Sequence, residues 1–192
     1  MDASIDTQQV IDDTRLWVEK AVIGLNLCPF AKPVYLKSLI RYAVSAARTP
    51  EELFADLQRE LRLLADTPAA EVETTLLIHP RVLDAFLDFN DFLGIAEDAV
   101  AMMDLEGVLQ VASFHPAYQF EGTRKDDVTN CSNRSPYPTL HLLREASIEA
   151  AVATHPDPDA IYRANIEPLR RIGRKGWEAL GIPSRRTSPR GS

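Results

Sequence analysis

The chain has 192 residues, the size of one domain, and its 45% hydrophobic and 26% charged residues exclude a disordered or fibrous protein. Its net charge is −7. Residues 163–192 hold eight Lys or Arg and two Glu (+6), so residues 1–162 carry −13. This acidic part of the chain disfavours nucleic-acid binding, because an acidic surface repels phosphates. Two cysteines, no signal-peptide features and no apolar run near the roughly 20 residues that span a bilayer predict a cytoplasmic protein without a membrane partner.

Hydrophobic periodicity and turn residues predict the elements in chain order. A helix over residues 8–26 ends near Gly24, and the chain turns at Cys28-Pro29. A helix that starts at Thr49-Pro50 is favoured by an N-cap residue, a proline and two acids in succession. The other elements of this half are a strand at 38–45, a strand at 73–79, a helix or helix pair at 81–104, and a strand at 107–114.

A long connection over 115–138 follows, rich in Asp, Asn, Ser and Pro, of the kind that is functional or disordered. Two further helices are predicted over 140–153 and 159–180. The alternation of strands and helices predicts an α/β (or α+β) fold: a small, mainly parallel sheet of three to four strands, built as βαβαβ and packed by the N-terminal and C-terminal helices. Residues 1–180 are predicted to form a single globular domain and residues 181–192 a flexible tail.

Two predicted strands end in the same dipeptide, His79-Pro80 and His115-Pro116. Proline keeps the preceding residue extended, so each histidine is the last residue of its strand. In a parallel sheet both imidazoles then lie at the carboxyl edge, where ligands bind in open α/β sheets. The alternative is that each imidazole closes the sheet by hydrogen bonds to backbone.

The leading hypothesis is a small-molecule enzyme with a pocket at this edge, roofed by the 115–138 connection and floored by the Cys28 turn. In one version, His115 assisted by Asp127 acts as general base for a Cys28 nucleophile. The substrate is anionic, and the residues assigned to bind it are Asn133, Arg134, Tyr137 and Arg144. Structural roles are the alternative, because free cysteines are often buried and Asn, Asp and Arg bond to nearby backbone and acids.

In the other version, a divalent metal activates water for hydrolysis. The ligands assigned to it are His79, His115 and His141, with Asp126 or Asp127 as further candidates. His141 and Glu145, four residues apart on the predicted 140–153 helix, would share a face, although a surface role for the pair is the alternative. Nucleotide-binding, serine-hydrolase and zincin motifs are absent from the sequence, so those classes have no support.

A binding or regulatory module is the alternative to an enzyme. The same crevice would capture an anionic metabolite or peptide through Arg134 and Arg144 without turnover. A third hypothesis is an adaptor that uses the basic C-terminal helix. Whether the protein is an enzyme, whether it holds a metal and how it oligomerises stay open at this point.

Three segments carry a family resemblance: Gly-Leu-Asn-Leu-Cys-Pro-Phe-Ala at 24–31, Phe-His-Pro at 114–116, and Asn-Arg-Ser-Pro-Tyr-Pro-Thr-Leu-His-Leu-Leu-Arg-Glu at 133–145. With them the chain resembles, from about residue 8 to about residue 180, an uncharacterised bacterial family catalogued only as a domain of unknown function. The resemblance implies a bacterial, cytoplasmic protein and no particular reaction. The matching segments contain Cys28, His115, Asn133, Arg134, Tyr137, His141 and Arg144, which form one candidate site.

Overall fold

The computed structural model describes residues 6–154 and 158–183, and most of the predicted tail, residues 184–192, lies outside these ranges. The strands are β1 (Ile40–Val44), β2 (Thr74–Ile78), β3 (Leu109–Phe114) and β4 (Thr139–Arg144). The α-helices are α1 (Thr7–Trp17), α2 (Ala31–Leu36), α3 (Pro50–Asp66), α4 (Phe86–Met102), α5 (Glu145–Thr154) and α6 (Pro158–Ala179). A π-helix (Val18–Ile23) follows α1, and a 3₁₀ helix (Val128–Asn133) precedes β4.

The four strands form one sheet in the order β1-β2-β4-β3. β1 pairs with β2 in parallel, whereas β4 is antiparallel to both of its neighbours, β2 and β3. Consequently β1, β2 and β3 all run in one direction, and β4 runs against them. The predicted α/β class is confirmed, but the prediction of a mainly parallel sheet is wrong, because β4 lies between β2 and β3.

β4 occupies the start of a segment that was predicted to be helical. Leu140 and Leu142 are fully buried on one face of the sheet, while His141 between them points to the other face, which is the alternation of a strand. Leu143 follows directly and adds a three-residue spacing from Leu140 that is typical of helices. The helix α5 starts only at Glu145, so the prediction that His141 and Glu145 share a helix face is wrong.

The sheet separates two hydrophobic cores. On one face α3 and α4 pack on buried strand residues that include Leu77, Leu140 and Leu142. On the other face, Leu76 and Ile78 pack against α1, the π-helix and α6. The N-terminal and C-terminal helices therefore cover one face only. None of the described helices combines the length and the apolar character needed to cross a membrane.

Helix starts follow local side-chain chemistry. Thr49 caps α3 by accepting a hydrogen bond from the Glu52 backbone N–H (3.2 Å), with Pro50 in the first turn, which is the predicted start. Asp6 caps α1, and the π-helix ends at Gly24, where a Cβ atom would lie 2.4 Å from the Lys20 carbonyl oxygen, so only glycine fits. Hydrophobic periodicity does not predict α2, which is six residues long and contains Pro33.

Candidate functional site

His79 and His115 lie close together at one edge of the sheet. β2 and β3 run in the same direction, so their carboxyl ends reach the same edge even though β4 separates them. Both imidazoles pack on the ring of Phe89 in α4, with centroid distances of 5.7 Å for His79 and 5.0 Å for His115. Both residues are fully buried. This edge is therefore closed by α4 and by the connection that precedes it.

Both nitrogens of His115 are engaged by backbone. Its Nδ1 accepts a hydrogen bond from the Ala117 N–H (3.0 Å), and its Nε2 lies 3.1 Å from the carbonyl oxygen of Leu83, which can only accept. The ring is therefore neutral with the proton on Nε2, and burial lowers the pKa of His115. In this arrangement His115 has no nitrogen left to take a proton from a thiol.

His79 is also anchored to the connection before α4. Its Nδ1 donates to the Val82 carbonyl oxygen (3.0 Å), while its buried Nε2 has no hydrogen-bond partner among the described residues. Burial lowers the pKa of His79 to about 4, and the proximity of His115 adds to this effect. The two histidines thus tie residues 82–83 to the sheet edge, which is the structural alternative recognised from the sequence.

His141 lies on the opposite face of the sheet from His79 and His115. Its Nε2 donates to the hydroxyl of Thr74 (2.8 Å), which in turn donates to the Leu142 carbonyl oxygen, and its ring packs on Phe114 at 5.8 Å. Burial lowers the pKa of His141 to about 4. The sheet therefore separates His141 from the other two predicted metal ligands. Within residues 6–154 and 158–183, no group of three His, Cys, Asp or Glu side chains could hold a metal ion.

The hydrogen bonds of Asp127 are made with Thr129 and not with His115, whose ring nitrogens bond to backbone. Its Oδ1 accepts hydrogen bonds from the backbone N–H (2.9 Å) and the hydroxyl (2.7 Å) of Thr129, so it caps the 3₁₀ helix. These bonds lower the pKa of Asp127, and the nearby Arg170 and Arg134 lower it further. The predicted pairing of Asp127 with His115 is therefore not formed.

Cys28 lies half-buried in the turn between the π-helix and α2. Burial raises the pKa of its thiol, an effect that hydrogen bonds from the backbone of Phe30 and Ala31 only partly offset. No cationic side chain is among the groups that shift this pKa. The setting is the reverse of the electropositive one that activates a nucleophilic cysteine.

We expect Cys28 to react slowly with an alkylating reagent at neutral pH, with an apparent pKa above the value of about 8.5 of a free thiol. Alkylation rates of a Cys131→Ser variant, measured from neutral to alkaline pH, isolate Cys28, and the urea-unfolded variant gives the reference rate. An apparent pKa below that of the unfolded variant would restore the nucleophile hypothesis.

Three of the four predicted substrate-binding residues hold the fold together. Asn133 donates through Nδ2 to the Ser113 carbonyl oxygen (3.3 Å) and accepts from the His115 N–H through its own carbonyl (3.1 Å). The Tyr137 hydroxyl donates to Asp13 (2.7 Å), which joins the strand β4 region to α1. Arg144 Nη2 donates to the carbonyl oxygens of Leu64 (2.8 Å), Thr67 (2.6 Å) and Val72 (2.9 Å).

Two further buried polar residues, Asn130 and Asp13, hold the fold together. Asn130 is fully buried; its Oδ1 accepts from the Phe120 N–H and the Thr123 hydroxyl, and its Nδ2 donates to the Arg124 carbonyl. Nothing in the loop sequence distinguishes it from its polar neighbours. Asp13 is buried in α1, where its position three residues after Val10 on the apolar face was a usable signal.

The fourth predicted substrate-binding residue, Arg134, lies beside two arginines of α6. Its Nε donates to the Tyr118 carbonyl oxygen (3.1 Å) and its Nη2 to that of Lys125 (2.7 Å). Burial raises the pKa of the Cys131 thiol, and the charge and hydrogen bond of Arg134 and the charge of Arg174 only partly offset this effect. Arg170 and Arg134 also lower the pKa of Asp127, so all three arginines lie near the 3₁₀ helix. We refer to Arg134, Arg170 and Arg174 as the arginine cluster.

A backbone break in α6 lies inside this cluster. Gly173 adopts φ = 60° and ψ = −173°, a conformation that favours glycine and interrupts the helix between Arg170 and Arg174. Both arginines are exposed, and Arg174 also forms a surface ion pair with Glu178 (3.3 Å). The break thus sets the direction in which the second part of α6 presents Arg174.

The structure also contains a groove of about 510 Å³ between α3 and the end of α4. It is lined by Gln58, Arg59, Arg62, Leu63, Asp66 and Met103. None of the predicted site residues lies in it. The groove is therefore separate from the crevice predicted at the strand edge.

A family model described as "Protein of unknown function (DUF1415)" matches residues 9–179. The match includes the segments 24–31, 114–116 and 133–145 and all four strands, and it confirms the resemblance to a domain of unknown function. No curated protein matches the chain, and no solved structure matches it. Since the family model spans most of its length, the chain belongs to the DUF1415 family of proteins of unknown function.

Proposed function

We propose that the chain is a binding module that holds a small anionic ligand at the arginine cluster. The observation that carries the proposal is the environment of Arg134. Its guanidinium donates to two backbone carbonyls and to the sulfur of Cys131, and it takes part in none of the ion pairs that the described residues form. A guanidinium that is fixed in direction, without a carboxylate at contact distance, is suited to bind a carboxylate or a phosphate.

The other two arginines define the class of ligand. Arg170 and Arg174 are exposed on α6 and add two positive charges beside Arg134, while Asp127 and Glu178 bring two negative charges into the same region. The resulting local excess of positive charge is small and is surrounded by an acidic protein body. These charges favour a compact ligand with one or two negative charges over a polyanion such as a nucleic acid.

The enzyme hypothesis has less support than the binding hypothesis. His115 accepts a backbone hydrogen bond through Nδ1 and donates one through Nε2. The Asp127 carboxylate is bonded to Thr129, and burial raises the pKa of the Cys28 thiol. A cysteine nucleophile needs a free base within hydrogen-bond reach and a thiol pKa that is lowered, and neither condition is met in this arrangement. We therefore propose no hydrolytic or metal-dependent reaction for these residues.

Inorganic phosphate or a short dicarboxylate at millimolar concentration should raise the unfolding temperature of the protein, because a ligand that binds only the folded state stabilises it. In an Arg170→Gln/Arg174→Gln variant this stabilisation should fall, with binding weaker by about tenfold, since two exposed ion pairs are worth roughly 0.2 to 1 kcal/mol each. Both side chains are exposed, so the variant should fold normally.

The matched control is Arg171→Gln, which removes one exposed charge from the same helix outside the cluster. Differential scanning fluorimetry and isothermal titration calorimetry at constant ionic strength would separate specific binding from screening. Binding that Arg171→Gln weakens as much as the double variant, or the absence of any stabilisation by either anion, would contradict the proposal.

A further inference from the structure

The segment of the chain that contains α4 and β3 has an unusual charge. Between Arg81 and Arg124 there is no Lys or Arg, whereas there are eight acidic residues. This stretch of residues 82–123 therefore holds −8 of the −13 carried by residues 1–162. The acidity of the protein body is therefore concentrated in the segment that contains α4 and β3.

The same segment carries most of the large apolar side chains that the described surface leaves exposed. Leu87, Ile95 and Met102 of α4 are 75%, 45% and 70% exposed, and Val108 before β3 is 48% exposed. The only other large exposed apolar side chain in the described part of the chain is Leu36. Exposed apolar side chains that cluster on one element are typical of a docking surface.

On α4 the apolar and acidic side chains form one row. Leu87, Asp91, Ile95, Asp98 and Met102 follow one another at spacings of four, four, three and four residues, which places them on one side of the helix. The opposite side of α4 is buried in the core through Phe89, Phe92, Ala96, Ala99 and Val100. We call this row of five exposed residues the α4 stripe.

We propose that the α4 stripe is a docking surface for a basic amphipathic helix of a partner protein. A helix that presents leucine-like side chains alternating with Lys or Arg at spacings of three and four residues would pack its ridge along the stripe. Its cations would then lie beside Asp91 and Asp98, and its apolar side chains would cover Leu87, Ile95 and Met102. The charge of the α4 stripe favours this partner, because its charged side chains are Asp91 and Asp98 and it contains no Lys or Arg.

The charge also disfavours a second copy of the chain as the occupant. Two α4 stripes placed together would bring Asp91 and Asp98 of one copy against the same carboxylates of the other. Like charges that face each other across an interface oppose association. The apolar residues alone would allow self-association, so the carboxylates make the surface selective.

The test uses the full chain and a designed helical peptide in which Leu and Lys alternate along one ridge. A peptide of identical composition with the ridge scrambled controls for simple charge attraction, and a Leu/Glu ridge peptide provides the reversed charge. Fluorescence anisotropy should give an affinity for the Leu/Lys ridge peptide about tenfold above that for the scrambled one. The Asp91→Lys/Asp98→Lys variant should lose this binding and gain binding of the Leu/Glu peptide.

A matched variant, Glu71→Lys/Glu149→Lys, makes the same charge change at exposed positions away from α4 and should leave the affinity unchanged. Equal affinity for the ridge and scrambled peptides, or equal losses in the two lysine variants, would overturn the proposal. Sedimentation analysis tests whether a second copy of this chain, instead of a partner helix, occupies the α4 stripe. A wild-type dimer that a Leu87→Ser/Ile95→Ser/Met102→Ser variant dissociates would assign the stripe to a second copy of this chain instead.

Discussion

Acidification from pH 6.5 towards pH 5 should destabilise this protein markedly, because its buried histidines must stay neutral in the folded state. Burial lowers the pKa of His79 and of His141 to about 4 and lowers that of His115 as well. The unfolded chain binds these protons near pH 6.5, whereas the folded chain does not. Stability is therefore complete above pH 6.5 and is lost as the pH falls towards 4.

His79 allows the size of this effect to be stated. It is fully buried, and each pH unit between an unfolded pKa of about 6.5 and a folded pKa of about 4 is worth about 1.4 kcal/mol, so His79 alone should remove about 2 kcal/mol between pH 6.5 and 5. Asp and Glu side chains stay ionised over most of this pH interval, because their ordinary pKa values are about 4. The steep part of the loss should therefore come from histidine protonation.

Urea unfolding measured from pH 7 to pH 4.5 tests this expectation with a His79→Asn variant. The asparagine amide can still donate to the Val82 carbonyl but does not titrate. The slope of its free energy of unfolding against pH should be smaller than that of the wild type, by the equivalent of about one bound proton. A Leu61→Val control, on the buried face of α3, should be less stable at every pH and keep the wild-type slope. Identical slopes in His79→Asn and wild type would contradict the assignment.

Replacing Arg144 by methionine should lower the free energy of unfolding by about 3 kcal/mol. A buried carbonyl group that loses its charged donor costs roughly 1 to 3 kcal/mol, and the total stays near the upper end of this range because the three carbonyls share one donor. Arg144 Nη2 donates to the carbonyls of Leu64, Thr67 and Val72, which join the end of α3 to the approach to β2. Methionine keeps much of the aliphatic stem and removes the donors.

Chemical denaturation of Arg144→Met and Arg144→Lys measures this contribution. The lysine ammonium can donate to some of the three carbonyls, so the loss of stability in Arg144→Lys should be intermediate. An exposed Arg62→Met control should change the free energy of unfolding by less than about 0.5 kcal/mol. Anion binding should survive in all three variants under native conditions. A stable Arg144→Met protein that no longer binds anions would return Arg144 to its predicted role in ligand binding.

The sequence was informative wherever structure depends on local signals. The start of α3 at Thr49-Pro50 and the shared edge of His79 and His115 follow from capping residues and from X-Pro geometry. β4 was missed because Leu140, Leu142 and Leu143 fit both the spacing of a strand and that of a helix, and the pairing that decides between them is with β2 and β3. Tertiary pairing overrode the local pattern there.

The polar residues were identified more reliably than their roles. Tyr137 finds its partner Asp13 at a separation of 124 residues, and Arg144 reaches carbonyls up to 80 residues away. No spacing rule connects such positions. The sequence alone therefore does not distinguish a side chain that hydrogen-bonds to backbone from one that is available to bind a ligand. Arg134 and Arg144 both donate to backbone carbonyls, and the packing of α6 near Arg134 is a property of the folded chain.

The late position of β4 in the chain has a consequence for how the protein is made. β2 and β3 do not pair with each other in the sheet, and the strand that joins them is the last of the four to be synthesised. A nascent chain that ends before residue 139 can form the parallel β1-β2 pair but leaves β3 without a neighbour. The sheet should therefore close only after residues 139–144 have left the ribosome, as a late and concerted folding event.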